Sequence, residues 1–328
     1  MVTVKAWCRV DLAGGTLDIW PLGLLHSQAR TVNVAVDVAV TVRLQPLPAG
    51  YRVLQGESVV EAGSGDELAR QPDAALLGVA AAALDLPPFE VSLASESPRG
   101  GGLGGSSAIL IAFLAAAEAA FDRPRLPPDR QVALAHDLEA RLMGLPTGIQ
   151  DHYPAILGGA LEIRPQPGGE RVRRLAVDLE ALGESLVVVY SGQSHFSAGN
   201  NWQIVRRRLE GDPEVTAHFE GIAAAAANLA PALEAGDLPR VGELMSREWS
   251  HRRLLAEGIS TPVLEELLRA AAEAGAWGGK ACGAGGGGCL AILAPPDRRS
   301  AVVAAVERAG GKVLRARPVG TGLEITED

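Results

Sequence analysis

The chain has 328 residues, of which 47% are hydrophobic and 21% are charged, an ordinary composition for a globular protein with room for two domains. Its formal net charge of −9 at pH 7 argues against a nucleic-acid partner, because phosphate backbones are bound by clustered Lys and Arg. Three cysteines without C-x-x-C spacing disfavour a disulfide framework and a zinc site. The chain begins with strand-like sequence and has no apolar run of about 20 residues, so we expect a cytoplasmic protein with no membrane partner.

The first half of the chain alternates strand and helix patterns. Residues 2–10 predict a strand, and residues 31–44 predict a long antiparallel strand because valines recur at every second position. Residues 51–60 are expected to pair with that long strand as a hairpin. Helices are expected over residues 66–84, from the loop at 97–108 to about residue 121, and over 129–143, with a short strand over 89–94.

The second half begins with strands between residues 159 and 177 and a compact buried strand over 186–190. Long alanine-rich helices follow between residues 200 and 276, and the chain ends with strand, helix and strand patterns. This change in composition predicts a domain boundary near residue 184, which divides the chain into residues 1–183 and 184–328. Because strands and helices mix without a regular βαβ period, we predict an α+β fold rather than a doubly wound parallel sheet.

A glycine-rich loop before an apolar helix is the most informative segment of the sequence. Five glycines stand in residues 97–108, and two serines follow them in positions suited to a helix N-cap. Backbone N–H groups in such a loop, together with the dipole of the following helix, suit a chain of phosphates. The loop therefore predicts a nucleotide site made by Pro98, Gly100, Gly101, Gly102, Leu103, Gly104, Gly105, Ser106 and Ser107.

The glycine spacing alone leaves other classes of protein open. The G-x-G-x-x-G pattern of dinucleotide-binding oxidoreductases occurs twice, beginning at Gly100 and at Gly283. A Rossmann-type, NAD(P)-dependent oxidoreductase is therefore an alternative, although residues 95–99 separate strand from loop and the expected acid, Asp122, falls at a helix end. A Walker P-loop is excluded because no Gly-Lys-Ser/Thr is present. A non-catalytic binding module is the third alternative.

Three segments, in order along the chain, resemble the motifs of one enzyme family. Residues 98–108 resemble the phosphate-binding signature of the GHMP kinases, residues 9–18 their sugar-binding segment, and residues 280–289 their third, glycine-rich motif. Residues 244–249 and 278–280 are most similar to the group of D-glycero-D-manno-heptose 7-phosphate kinases and L-fucose kinases. The resemblance implies a two-domain fold, with an N-terminal domain like ribosomal protein S5 and a ferredoxin-like C-terminal domain with extra helices.

The same resemblance implies a kinase that uses ATP and Mg²⁺. It would transfer the γ-phosphoryl group of ATP to a hydroxyl of a sugar or sugar phosphate, such as heptose 7-phosphate or fucose, the anomeric hydroxyl included. Mevalonate-like and other non-sugar alcohols are the alternative acceptors.

Two acids carry the predicted chemistry. Glu139 and Asp151 stand on different local elements and can face one another across a site, as phosphoryl transfer requires. By resemblance, Glu139 holds Mg²⁺ together with Ser106 or its neighbour Ser107. Asp151 accepts the proton of the acceptor hydroxyl or orients that hydroxyl, and Arg9 stabilises the negative charge that develops beside it.

The acceptor side is expected to depend on Asp18, whose carboxylate can accept two hydroxyl hydrogen bonds. Gly15-Thr16-Leu17 stands before Asp18 where galactokinases carry Glu-His, which argues against plain galactose specificity. The other expected substrate-binding residues are Gly14, Gly15, Thr16, Gly148, Gln150, His152, Ser194, His195, Ser197, Gly285 and Gly286. The predicted partner is thus a small molecule, and either a monomer or a homodimer is compatible with the sequence.

Overall fold

The structure is a computed structural model that describes residues 1–194 and 198–327, with side chains throughout except at residues 198–200. In these ranges the chain forms two sheets, of eight and four strands, and eleven α-helices. The strands are β1 (Val2–Ala13), β2 (Thr31–Pro46), β3 (Tyr51–Gln55), β4 (Ser58–Ala62), β5 (Phe89–Ser95), β6 (Ala160–Gln166), β7 (Gly169–Arg174), β8 (Leu186–Tyr190), β9 (Gly278–Ala281), β10 (Cys289–Leu293), β11 (Lys312–Leu314) and β12 (Glu324–Glu327). The helices are α1 (Gly65–Ala69), α2 (Ala75–Ala83), α3 (Gly105–Ala120), α4 (Pro128–Met143), α5 (His152–Leu157), α6 (Leu179–Ser185), α7 (Ala198–Leu209), α8 (Pro213–Glu234), α9 (Leu238–Arg252), α10 (Pro262–Glu273) and α11 (Arg299–Arg308).

The antiparallel pair β1 and β2 forms the centre of the larger sheet, whose order is β12-β1-β2-β5-β3-β4. The alternating valines of β2 are buried and share one hydrophobic core with the apolar side chains of α3. β6 pairs with the beginning of β2 and β5 with its end. The predicted long antiparallel strand is therefore confirmed, and α3 is held firmly against it at the end of the glycine loop.

Two local predictions are wrong. Residues 51–60 do not pair with β2, because β5 occupies that edge of β2 over residues 40–46. β3 instead runs parallel to β5 and forms a hairpin with β4. The helix predicted over residues 66–84 is divided into α1 and α2, because Pro72 lacks a backbone N–H and disfavours helical backbone at the residue before it.

The smaller sheet has the order β11-β8-β10-β9 and is antiparallel throughout. Alternate residues of β8 enter two different hydrophobic clusters: Leu186 and Val188 join the core around α3, whereas Val187 and Val189 join the core around α10 and α11. Burial on both faces explains why this strand is apolar at every central position. The strand thereby connects the two cores.

The two sheets with separate sets of helices confirm the α+β class. The division into residues 1–183 and 184–328 stays a prediction, and the structure adds that the chain returns at its end to the larger sheet, with Ile325 of β12 opposite Val4 of β1. Within the described part of the chain, the helices are all too short or too polar to cross a bilayer.

Candidate active site

Four loops meet around a cavity of about 850 Å³. They follow β1, β5, α4 and β9, and their lining residues fall within the ranges 16–19, 97–104, 146–151 and 282–287. The first turn of α3 completes this part of the wall. The cavity thus brings together the three glycine-containing segments and the predicted acids, which are far apart in the sequence.

The glycine loop enters α3 with left-handed backbone at alternate glycines. The φ angle is +65° at Gly100, +70° at Gly102 and +74° at Gly104, which is the N-cap of α3. A Cβ at Gly102 would lie 2.6 Å from the carbonyl oxygen of Cys282, so both the backbone angle and the close approach require glycine. Among the described residues no side chain caps α3, and its first N–H groups are therefore available to an anion in the cavity.

The second glycine loop, residues 282–288, packs against the first. The N–H of Cys289 donates to the carbonyl oxygen of Gly101 at 2.8 Å. A Cβ at Gly288 would lie 2.9 Å from that same oxygen. The two loops therefore support each other on one side of the cavity.

Ser107, Glu139 and His152 form a buried cluster at the cavity wall. Ser107 Oγ donates to Glu139 Oε1 at 2.8 Å, and His152 Nε2 lies 3.2 Å from Glu139 Oε2. Burial alone would raise the pKa of Glu139, but His152 and Ser107 outweigh it and hold that pKa below its usual value. The expectation of a serine N-cap is wrong, because the helix begins one residue before Ser106, which is exposed, while Ser107 is committed to Glu139.

Arg9 and Asp151 form an ion pair next to the glycine loop. Arg9 donates to Asp151 Oδ1 from Nε at 2.9 Å and from Nη2 at 2.5 Å, and its Nη1 donates to the carbonyl oxygen of Gly102 at 2.5 Å. Burial would lower the pKa of Arg9, but the carboxylates of Asp151 and Asp11 raise it above its usual value. Arg9 is buried, whereas a quarter of the Asp151 side chain is exposed to the cavity. The guanidinium thus fixes the carboxylate and the loop relative to each other.

Asp18 lies in the cavity wall with one carboxylate oxygen hydrogen-bonded and the other buried without a partner among the described residues. Oδ2 accepts from the N–H of Gln150 at 3.0 Å, whereas Oδ1 has no hydrogen-bond partner among the described residues. Burial raises the pKa of this carboxyl group. A Cβ at Gly148 would lie 2.2 Å from Asp18 Oδ2, so glycine is required there. The side-chain oxygen Oε1 of Gln150, which also lines the cavity, is likewise buried and unpaired within the described ranges.

The remaining predicted substrate-binding residues divide into two sets. Thr16, Gly148, Gln150 and Gly285 line the cavity together with Asp18. Outside its lining, in the described part of the chain, are Gly14, Gly15, His152, Ser194 and Gly286. Direct contact of these five residues with substrate stays a prediction. The predicted residues His195 and Ser197 lie outside the described residues.

Three of the residues outside the lining have contacts that explain their positions. His152 is completely buried behind Glu139. The N–H of Gly14 donates to Glu248 Oε1 at 3.2 Å, and that of Gly286 donates to the carbonyl oxygen of Ile259 at 2.6 Å. These residues therefore support the wall from behind.

Sequence reasoning missed a buried cluster of four charged side chains behind residues 14–19, the loop that follows β1 and is called the acceptor loop below. Lys280 Nζ lies 2.7 Å from Asp11 Oδ2 and 3.4 Å from Glu248 Oε1, and Arg252 Nη2 lies 2.5 Å from Glu248 Oε1. Burial would raise the pKa of Asp11, but Lys280 and Arg252 outweigh it and lower that pKa. One signal was present in the sequence, since a lysine stands in the middle of the otherwise small and apolar segment 278–282.

The fold and this arrangement of groups define a small-molecule kinase. The model described as the GHMP kinases N terminal domain matches residues 73–159, and the model described as GHMP kinases C terminal matches residues 229–312. The chain belongs to the GHMP kinase family, whose members use ATP to phosphorylate hydroxyl groups of small molecules.

Relatives of two kinds are similar to this chain. A mevalonate kinase of Pyrococcus abyssi is 35% identical over 246 residues, which cover 72% of this chain and 68% of the relative. A D-glycero-alpha-D-manno-heptose 7-phosphate kinase of Campylobacter jejuni is 25% identical over 229 residues, which cover 69% of this chain and 67% of the relative. Among solved structures, a D-glycero-D-manno-heptose 1-phosphate kinase from Bacteroides thetaiotaomicron has a TM-score of 0.78 at 20% identity. The superposition covers 100% of this chain and 99% of the chain of that kinase.

These comparisons confirm the predicted family and fold. The oxidoreductase alternative is wrong, because the larger sheet is mainly antiparallel and the chain is a kinase by family.

Proposed function

We propose that the protein transfers the γ-phosphoryl group of ATP, bound with Mg²⁺, to a hydroxyl group of a sugar or sugar phosphate. The observation that carries this proposal is that Asp18 and Gln150, which line the same cavity as Asp151, each have a buried oxygen without a hydrogen-bond partner among the described residues. Buried polar atoms without partners are costly, so they point to a ligand that supplies hydrogen-bond donors. A sugar with neighbouring hydroxyl groups supplies several such donors at once.

The wall of the cavity fits a nucleotide and a magnesium ion. The left-handed glycines allow the backbone N–H groups of the loop and of the first turn of α3 to approach phosphate oxygens closely. Glu139 and Ser107 offer oxygen ligands of the kind that Mg²⁺ prefers. When bound, Mg²⁺ neutralises charge on the phosphates and orients them. Glu139 remains ionised for this role because its pKa is held low.

Asp151 is proposed to hold and deprotonate the acceptor hydroxyl. Both bonds from Arg9 go to Oδ1, which leaves Oδ2 to accept the hydroxyl proton as the oxygen becomes acidic during transfer. Arg9 also contacts the carbonyl oxygen of Gly102, so the positive charge stays between the carboxylate and the phosphate loop. This position suits stabilisation of the charge that develops during phosphoryl transfer.

A second acceptor class is favoured by one specific observation. The 35% identity with the mevalonate kinase of Pyrococcus abyssi is higher than the 25% identity with the heptose 7-phosphate kinase of Campylobacter jejuni. A mevalonate-like alcohol is therefore the competing acceptor.

The acceptor class is tested by measuring ADP release with ATP and Mg²⁺ over a panel of hexoses, deoxyhexoses, heptose 7-phosphate and mevalonate. We expect turnover with one or more sugars or sugar phosphates. Turnover with mevalonate alone would contradict the proposed acceptor class and leave the kinase activity in place.

The metal ligands are tested by comparing Ser107→Ala with Ser106→Ala. Because Ser107 is bonded to Glu139 and Ser106 is exposed, we expect Ser107→Ala to raise the Mg²⁺ concentration for half-maximal activity by about tenfold or more. Ser106→Ala, the same chemical change one residue earlier, should alter it by less than about threefold. Equal effects, or a larger effect at Ser106, would contradict the assignment of Ser107.

A further inference from the structure

Arg252, in the last turn of α9, reaches across to the loop that follows β1. Its Nη1 donates to Thr16 Oγ1 at 2.9 Å, and its Nη2 donates to the carbonyl oxygen of Gly15 at 2.5 Å. Nε donates to Glu248 Oε1 at 2.9 Å, one helical turn earlier. The Arg252 side chain is completely buried, so all of its nitrogens are committed to neighbours.

The loop that Arg252 holds has an unfavourable backbone conformation. Thr16 has a φ of +73°, in the left-handed region where a β-branched residue is a genuine outlier. Such a conformation persists only where the surroundings impose it. Arg252 contacts Thr16 and the carbonyl oxygen directly before it, so it is the side chain best placed to impose this conformation.

The constraint at Thr16 extends to Asp18. The N–H of Leu17 donates to the carbonyl oxygen of Gly14, and the N–H of Ile19 donates to that of Thr16, each at 3.1 Å. These two turns overlap at residues 16–17 and leave little freedom for the intervening backbone. The side chain of Leu17 is completely buried, which fixes the direction in which Asp18 faces the cavity.

Glu248 connects Arg252 to other residues behind the cavity wall. Besides Arg252, it accepts from the N–H of Gly14 at 3.2 Å and lies 3.4 Å from Lys280 Nζ. Lys280 in turn binds Asp11, at the end of β1. Residues 14–16 are therefore held at both ends by groups of α9, and Lys280 of β9 holds Glu248 from behind.

We propose that Arg252 is a positioning residue that holds residues 14–18 so that Asp18 faces the acceptor, an inference that rests on the proposed function for the part played by Asp18. Arg252 does not line the cavity, so it acts through Thr16 and Gly15 rather than on the substrate. Its helix belongs to the second half of the chain, and the acceptor loop to the first. Acceptor binding therefore depends on the docking of α9.

The first test is hydrogen–deuterium exchange of the backbone, which needs no acceptor. Lysine cannot reproduce the forked hydrogen bonds of arginine, so Arg252→Lys is expected to speed exchange in peptides covering residues 14–19 by about tenfold. Peptides covering residues 100–107 should change by less than about twofold. The matched control is Arg253→Lys, because Arg253 is the next residue, is exposed, and binds only at the surface to Glu265. Unchanged exchange over residues 14–19 in Arg252→Lys would overturn the proposal.

The second test is kinetic, with the sugar that gives turnover in the ADP-release panel as the probe. Arg252→Lys should raise KM for that sugar by about tenfold and leave KM for ATP within about twofold, and Arg253→Lys should change neither. Thr16→Val removes the hydroxyl that Arg252 contacts and keeps the shape of the side chain. The KM of the double variant for the sugar should be no higher than that of the more affected single variant, because both changes break the same contact between Arg252 and Thr16. Additive losses, or a larger effect on KM for ATP, would overturn the proposal.

The two tests separate this proposal from the proposed function. If no sugar gives turnover, the proposed function fails, and the exchange experiment still decides whether Arg252 holds the loop. If Arg252→Lys does not fold, Thr16→Val carries the exchange test, and faster exchange over residues 14–19 is again the expected result. Normal exchange in that variant would overturn the proposal.

Discussion

An Asp151→Asn variant is expected to lose about a thousandfold or more in kcat, while its KM for ATP stays within about threefold of the wild-type value. The amide oxygen can still accept the hydrogen bonds of Arg9, so the glycine loop and the cradle for the phosphates keep their geometry. The amide group cannot take up the proton of the acceptor hydroxyl. The measurement is steady-state kinetics with ATP and the acceptor varied in turn, together with the thermal shift produced by ATP and Mg²⁺.

The matched control for this variant is Asp137→Asn. Asp137 lies on α4 outside the cavity lining, and its carboxylate is largely exposed. The substitution Asp137→Asn therefore removes the same charge without touching the cavity. We expect its kcat to stay within about twofold of wild type. If Asp151→Asn kept a tenth or more of kcat, the role of Asp151 as proton acceptor would be wrong. If the wild-type chain bound ATP and turned over no acceptor at all, the alternative of a non-catalytic binding module would gain support.

The parts of the site that could be predicted from the sequence are those confined to short segments. The glycines of residues 97–108 lie in one loop that leads into a helix, and the two acids, Glu139 and Asp151, stand near each other on consecutive elements, so spacing alone limits the geometry. Even there, the choice between Ser106 and Ser107 depended on the first residue of α3, which a sequence pattern leaves uncertain by one or two positions. The contact between Ser107 and Glu139 supports the proposal that Ser107 is the metal ligand.

The parts that could not be predicted depend on contacts between distant segments. Arg252 meets Thr16 across 236 positions of sequence, and nothing in either local pattern indicates the partner. The same reason explains why the predicted hairpin of residues 51–60 with β2 is wrong. The edge of β2 is paired with β5, which lies more than 30 residues beyond β3 in the sequence. Buried charged residues such as Lys280 are recognisable as unusual in the sequence, but their ion partners are visible only in the fold.

Asp18→Asn is expected to raise the free energy of unfolding of the free protein and to lower kcat/KM for the acceptor. Because burial raises the pKa of Asp18 in the folded chain, this carboxyl group makes folding less favourable at neutral pH, where it is ionised in the unfolded chain. For an acid whose folded pKa is raised, stability falls as the pH rises from the unfolded pKa of 3.8 through the folded value. An asparagine keeps an oxygen to accept from the N–H of Gln150 and removes the buried charge, so we expect a gain of about 1 kcal/mol in the free energy of unfolding at pH 7.

The loss of function follows from the same carboxylate. In the proposed function the carboxylate oxygen Oδ1 of Asp18 accepts a charge-assisted hydrogen bond from a hydroxyl of the acceptor, and losing that bond should cost about 100-fold in kcat/KM for the acceptor. In the wild-type enzyme kcat/KM for the acceptor should fall on the acid side at a pH above the usual pKa of an aspartate, because protonation of Asp18 removes an acceptor lone pair. The pH profile of Asp18→Asn should lack that decline, and its Tm should be higher than that of wild type, with Asp137→Asn changing neither. A variant that is less stable and keeps its kcat/KM would show that the carboxylate of Asp18 is structural, and the acceptor subsite would then have to lie elsewhere in the cavity.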